Sequence, residues 1–239
     1  MNPSSVIEDF SVLNTKLDFY HHQDRVFIKK TVTPNVDLGI SMSALKTWFD
    51  QYLLQLKCAA IPLPIIRQVD ILEESLVFHC LYRGQNIVEA FPSIEALLAE
   101  PSVLHQIIEI INRAVKSNVY LDPHAKNFVL ENNQISYVDF SPPYIEKYID
   151  HRLKLAKDKL EWEIMSRNFG YFSPGELIYH FVGDFFNVFG VDAEDSIKKL
   201  VEFLVAHQYT EDSAYKFMQH AKAIRLLEDL RLEKEIFLF

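Results

Sequence analysis

A chain of 239 residues with 49 % hydrophobic and 24 % charged side chains has the composition of a folded globular protein, which gives no reason to expect disorder and fits neither a peptide scaffold nor a large multidomain machine. Its formal net charge is −9 and no Lys/Arg-rich block interrupts the acidic balance, so the electrostatic footprint of a nucleic-acid binder is missing. Two cysteines, Cys58 and Cys80, make neither a disulfide framework nor a zinc-ligand spacing, the usage expected in a reduced compartment.

Residues 5–32 read as strands, with a break at Gln23-Asp24 between two β-rich arms; the second arm runs Arg25-Val26-Phe27-Ile28-Lys29-Lys30-Thr31-Val32. A hairpin is the simplest arrangement. From Ser43 to Leu56 the apolar residues Leu45, Trp48, Phe49, Tyr52, Leu53 and Leu56 recur at helical spacing, with Ser43 as the expected cap. Pro62 and Pro64 then exclude regular structure before two further strands, Ile66–Leu72 and Leu76–Tyr82, around Glu73-Glu74-Ser75.

After Arg83-Gly84-Gln85-Asn86 the pattern turns helical, over Ile94–Leu98 and Val103–Val119. Residues 120–140 interrupt the helices with a loop and hairpin. From about Ile145 to Phe239 the helical period returns, with breaks near Gly170, Pro174 and Gly190. The Lys/Glu-rich stretch from Arg225 to Glu235 reads as a solvated helix face, and Phe181, Phe185, Phe186 and Phe189 as core. Nothing at the N-terminus resembles a leader, and the apolar runs stop well short of the ~20 residues of a spanning helix. A cytoplasmic protein that uses no membrane is the expectation.

The chemistry concentrates in residues 119–144. Phe128-Val129-Leu130 and Ile135-Ser136-Tyr137-Val138 are β-prone arms around Glu131-Asn132-Asn133-Gln134. Pairing about a centre near residue 133 sets Asn127 opposite Asp139, and directly opposed residues have Cβ atoms roughly 4.5–5.5 Å apart. Two hard oxygen donors could then share one magnesium ion. Asp122 lies five residues before Asn127, in a loop facing the same point.

Asp122-x-x-x-x-Asn127, a hairpin and then Asp139-Phe140 resemble the catalytic loop and metal-binding element of the protein-kinase-like superfamily, nearest its aminoglycoside and choline phosphotransferase branch. The resemblance implies an α+β, two-lobed protein-kinase-like fold, with a small β-rich N-lobe over residues 1–82 and a mainly helical C-lobe over 83–239. It also implies that Asp122 positions the acceptor hydroxyl as base while Asn127 and Asp139 hold Mg2+. Val26-Phe27-Ile28-Lys29 is similar to the family's lysine strand, which puts Lys29 on the phosphates of ATP, with Lys30 as the fallback; the helix from Ser43 takes the place of the family's first helix.

On this resemblance the partners are a nucleotide and a small-molecule substrate. Three departures accompany it. No glycine precedes Gly39, so the Gly-rich loop is missing and another segment has to cover the nucleotide. Phe27 shares a strand face with Lys29 where the family has alanine, and Ser141-Pro142-Pro143 replaces the glycine and mobile segment. Asp50, the one acid between Ser43 and Leu56, falls far from the apolar face and is a poor partner for the strand lysine. His124 and Lys126 read as solvated loop side chains. The alternative to a small-molecule kinase is a pseudokinase, a binding or scaffolding module that keeps the fold and transfers nothing.

Overall fold

The structure, a computed structural model, describes residues 13–22, 25–34, 38–81, 84–189, 199, 202–204 and 206. It is mixed α+β: an antiparallel sheet forms the N-terminal region and helices follow it. The expectations for residues 5–12, for the break at Gln23-Asp24, for Tyr82 and for the stretch Arg225 to Glu235 lie outside the described residues.

Strands β1 (Leu13–His22) and β2 (Arg25–Pro34) pair antiparallel, with Phe19 opposite Ile28 and Leu17 opposite Lys30. With β3 (Ile66–Leu72) and β4 (Ser75–Leu81) they build a four-stranded sheet in the order β1-β2-β4-β3. Side chains alternate along a strand, so Ile28, Lys30 and Val32 share one face with Phe78 and Cys80 of β4, their direct neighbours or partners in register. Phe27 turns to the other face and stacks on Tyr20 with ring centroids 5.4 Å apart.

Helix α1 (Met42–Cys58) buries all six residues of the predicted stripe, Leu45, Trp48, Phe49, Tyr52, Leu53 and Leu56. Each buried Leu or Phe of that stripe stabilises the fold by about 1.5–3 kcal/mol. The cap is Ser41 rather than Ser43: the Ser41 hydroxyl accepts from the Ala44 N–H at 3.2 Å, whereas the Ser43 carbonyl already accepts from the Thr47 hydroxyl within the helix.

Beyond the sheet come β5 (Gln85–Asn86), α2 (Ile87–Ala90), α3 (Ile94–Leu98) and α4 (Pro101–Lys116), then β6 (Phe128–Glu131) and β7 (Gln134–Tyr137). Three helices follow, α5 (Glu146–Lys154), α6 (Lys159–Tyr171) and α7 (Leu177–Phe189). The break between α5 and α6 is one the glycine and proline pattern did not signal. It is made by Asp158, which accepts from the Glu161 N–H at 2.8 Å while the Glu161 carboxylate reaches back to the Lys157 N–H at 2.8 Å, a reciprocal capping arrangement.

Strands β5, β6 and β7 form a second, three-stranded sheet. Asn132 and Asn133 both adopt left-handed backbone, φ 48° and 61°, and close a two-residue turn between Glu131 and Gln134. The hairpin is therefore centred half a residue earlier than expected. Phe128 faces Tyr137, the Val138 N–H bonds the Asn127 carbonyl at 2.9 Å, and Asn127 stands across from Val138 rather than Asp139.

One hydrophobic core runs through both parts of the chain, from Val32, Phe49 and Phe78 to Ile107, Phe128 and Phe181. Polar ties cross it as well: the Tyr52 hydroxyl donates to the Tyr120 carbonyl at 2.8 Å, and the Tyr137 N–H donates to the Pro62 carbonyl at 2.8 Å. Among the described residues, no helix is long and apolar enough to cross a membrane.

Candidate functional site

The inner face of the N-terminal sheet is covered by α1 along part of its length. Past that cover it becomes one wall of a cleft of about 520 Å³. Leu17, Phe19, Ile28 and Cys80 form the sheet wall; Asn127, Val129, Ser136 and Val138 form the wall opposite, with Asp139, Phe140 and Ser141 beside them. An apolar chamber with a few convergent polar groups is the usual build of a small-molecule site.

Of the two neighbouring lysines of β2, Lys30 is the one in this cleft. Its ammonium lies 2.8 Å from Asp139 Oδ1 and 4.5 Å from the Phe140 ring centre, and its side chain is 9 % exposed. The expectation that Lys29 points inward is overturned. It assumed that the aliphatic face of β2 packs on the core and the opposite face meets the cleft, whereas core and cleft lie in succession along the one face that carries Ile28, Lys30 and Val32. Lys29 falls on the outer face with Phe27, opposite Asp18 and His79. Ile28, not Phe27, is the hydrophobic neighbour of the cleft lysine.

Asp139 accepts from Lys30 and from the Ser141 N–H at 3.2 Å through the same oxygen, Oδ1. Asp50 pairs with Lys46 one turn away on α1, so the partner of the strand lysine is Asp139 and not an acid of the helix. Phe140 packs edge-on to Phe78, which in turn lies against Phe49, so an aromatic row joins the segment after the hairpin to β4 and α1.

Asn127 and Asp139 both line the cleft although the register does not oppose them. Asn127 ends a 3-10 turn, Ala125–Asn127, and Asp139 lies beyond the end of β7, so neither is bound by strand alternation. The Asn127 amide nitrogen donates to the Asp122 carbonyl at 3.1 Å, which leaves its side-chain oxygen for other partners.

Asp122 is set differently. Its backbone N–H donates to the Tyr137 hydroxyl at 3.0 Å, its Oδ1 accepts from the His124 N–H at 3.2 Å, and the same oxygen directly contacts His124 Nδ1. The carboxylate belongs to the loop behind Asn127 and does not line the cleft. His124 is not a solvated side chain: its Nε2 lies 3.3 Å from His180 Nε2 and 3.7 Å from Asp184 Oδ1, and Asp184 Oδ2 accepts from the Ala125 N–H at 2.7 Å. Lys126 is exposed, as expected, yet at the cleft wall.

Burial works against charge at both members of this pair. It raises the Asp122 carboxyl, but the charge and hydrogen bonds of His124, with His180, outweigh it and hold the acid well below the usual range. Burial lowers the His124 imidazole, and the Asp122 charge and bond, with Asp184, more than reverse this and push it up to about 9. At neutral pH the two form an ion pair.

His180 and Asp184 were missed in the sequence. The signal was there, one helical turn apart on α7, in a run Leu177–Phe189 that is otherwise mostly apolar; a histidine and an acid at i, i+4 on a buried face need partners.

No protein-family model matches the chain, and no curated protein matches it.

Proposed function

We propose that the chain is an ATP- and magnesium-dependent phosphotransferase that acts on the hydroxyl of a small molecule, with a two-lobed kinase-like arrangement about the cleft. One observation carries the reading: Lys30 crosses from the N-terminal sheet to Asp139 at 2.8 Å, within a cleft that Asn127 also lines. A cation for phosphate oxygens and two residues with hard oxygen donors for a metal line that cleft, and Asp122 is one hydrogen bond behind Asn127.

The residues fit the groups this chemistry requires. The Asp139 carboxylate and the Asn127 amide oxygen are donors of the type magnesium takes, and the ion, when bound, neutralises phosphate charge. Lys30 exchanges its bond to Asp139 for the phosphates. Ile28, Cys80, Leu81, Val129 and Val138 offer apolar walls to a base. Leu17 and Phe19, exposed on β1 at the rim, cover the nucleotide in place of a Gly-rich loop. Asp122, released from His124, orients the acceptor hydroxyl and accepts its proton, so that the work is positioning and charge stabilisation. The net charge of −9 favours a cationic acceptor such as an amino-alcohol. Two free thiols suit a cytoplasmic setting.

Thermal unfolding with ATP, GTP and ADP, each with and without magnesium, tests the cleft, since a ligand of the folded state raises the midpoint. An acceptor screen of amino-alcohols and aminoglycoside-like polyols then tests transfer, and Asp122→Asn is expected to lose ~10²–10⁴-fold in turnover with nucleotide binding retained. The pairing of Asp122 with His124, outside the cleft lining, favours the pseudokinase as second reading; nucleotide binding with no transfer to any acceptor selects it. No nucleotide binding at all overturns both.

A further inference from the structure

Asp122, His124 and His180 each present a donor atom, and the three donors lie within 4.8 Å of one another. We infer that they form a site for a zinc-class divalent ion, distinct from the magnesium pair Asn127 and Asp139 in the cleft.

The donor set decides the class of ion. Two imidazoles and one carboxylate are borderline ligands, suited to zinc, cobalt or iron, whereas magnesium and calcium take oxygen donors. The set comes from two elements, the loop before the 3-10 turn and helix α7, and each element is anchored on its own account. The Ala125 N–H bonds Asp184 at 2.7 Å and the Asp122 N–H bonds Tyr137 at 3.0 Å, so the loop is held against the helix before any ion arrives. For the three donors to close on an ion at about 2.0–2.2 Å each, the Asp122–His124 contact opens and His124 gives up its proton, so the ion takes the place of that proton between them.

The surroundings favour a divalent charge. Asp184 lies 3.7 Å from His124 Nε2, which places a second negative charge beside the three donors. Asp122 and His180 are largely buried, while His124 is 26 % exposed on its side chain, so the ion can reach the site from the His124 side. Three protein donors leave one position of a tetrahedral shell open to water.

A consequence follows that rests on the phosphotransfer reading: an ion held by Asp122 removes its carboxylate from the acceptor hydroxyl, so occupancy switches transfer off. The site itself does not depend on that reading, and its test needs no turnover.

The full chain, stripped with a chelator, is titrated with cobalt(II) as a spectroscopic probe. One equivalent is expected to bind with the visible absorption of a four- or five-coordinate nitrogen-ligated ion, and zinc is expected to displace it. His180→Ala and Asp122→Asn should each weaken binding by more than the 10–100-fold typical of losing an outer-shell partner, while Asp139→Asn leaves the signal in place. Because His180 is buried, far-ultraviolet circular dichroism checks its variant, and His124→Gln gives an independent loss should His180→Ala fail to fold. Absence of such a spectrum in the wild-type chain, or a spectrum whose affinity the His180 and His124 substitutions leave unchanged, overturns the site, and leaves nucleotide binding in the cleft to be judged by its own thermal-shift measurement.

Discussion

At Lys30 a 2.8 Å bond to Asp139 joins a strand of the N-terminal sheet to the segment leaving the β6–β7 hairpin, and both side chains are largely shielded from water. Shielding raises the cost of leaving either charge unmatched. Lys30→Ala is expected to destabilise the fold by about 1.5–3 kcal/mol, the range for hydrogen bonds to charged groups, and to abolish magnesium-dependent nucleotide binding. Lys29→Ala, on the outer face, should stay within about 0.5 kcal/mol. Urea unfolding of the two variants compares them directly, and the opposite order would return the cleft to Lys29. Cys80 offers a second probe at this scale. Burial pushes its thiol up to about 11, against a smaller lowering from Lys30; the thiolate is therefore scarce at neutral pH. Alkylation should modify the exposed Cys58 first, with the rate at Cys80 rising about tenfold per pH unit between about pH 8 and 10. Peptide mass spectrometry reads both sites, and equal labelling near pH 8 would contradict the burial of Cys80.

The residue before β5 approaches β6 closely. Gly84 has φ +82°, and a Cβ there would sit 1.9 Å from the Leu130 carbonyl oxygen, a contact that backbone cannot relieve by rotating. Gln85 pairs with Leu130 in the next step, so the clash falls on the start of the second sheet, and that sheet carries Asn127 into the cleft. Gly39 shares the left-handed backbone, φ +61°, but has open space around it. Gly39→Ala should cost only the strain of that conformation, about 1–2 kcal/mol. Gly84→Ala should cost clearly more and should disturb the amide resonances of residues 128–137 in a nuclear magnetic resonance comparison. Equal costs at the two glycines would show that β5 and β6 are farther apart than described.

Across the whole molecule the sheet and the helices share their interior. Trp48 of α1 lies edge-on to Tyr148 and His151 of α5, with centroids 6.0 and 5.3 Å away, and the His151 imidazole contacts the Leu38 carbonyl at 2.6 Å. A chain whose halves are tied by one core, by Lys30–Asp139 and by α1 against α5 should unfold in one cooperative step. Trp48 fluorescence, read in a Trp162→Phe background, and far-ultraviolet circular dichroism should give the same denaturation midpoint. Separate midpoints would mean that the N-terminal sheet unfolds independently.

The local elements were legible in the sequence because they are written in local periods. The stripe from Leu45 to Leu56 and the apolar side of α4 follow from spacings of three to four, and the burial of those stripes agrees at Leu45 to Leu56 and at Leu104, Ile107, Ile108 and Ile111. The limits of β3 were legible too, although its burial does not alternate and Ile71 and Leu72 are exposed. That Asn127 and Asp139 border one cleft was also legible, since a short hairpin lies between them, although a turn of two left-handed asparagines moved the register by one residue. What tertiary structure decided is which face of β2 turns to the cleft, and hence that Lys30 rather than Lys29 meets Asp139. Alternation says that neighbouring residues of a strand point oppositely; it does not say which side another layer will occupy, because that depends on where α1 and the hairpin pack. The same limit hid the environment of Asp122. His180 and Asp184 stand 58 and 62 residues further along the chain, and the distance from their helix to the loop is set by the packing of α7, which no local pattern encodes.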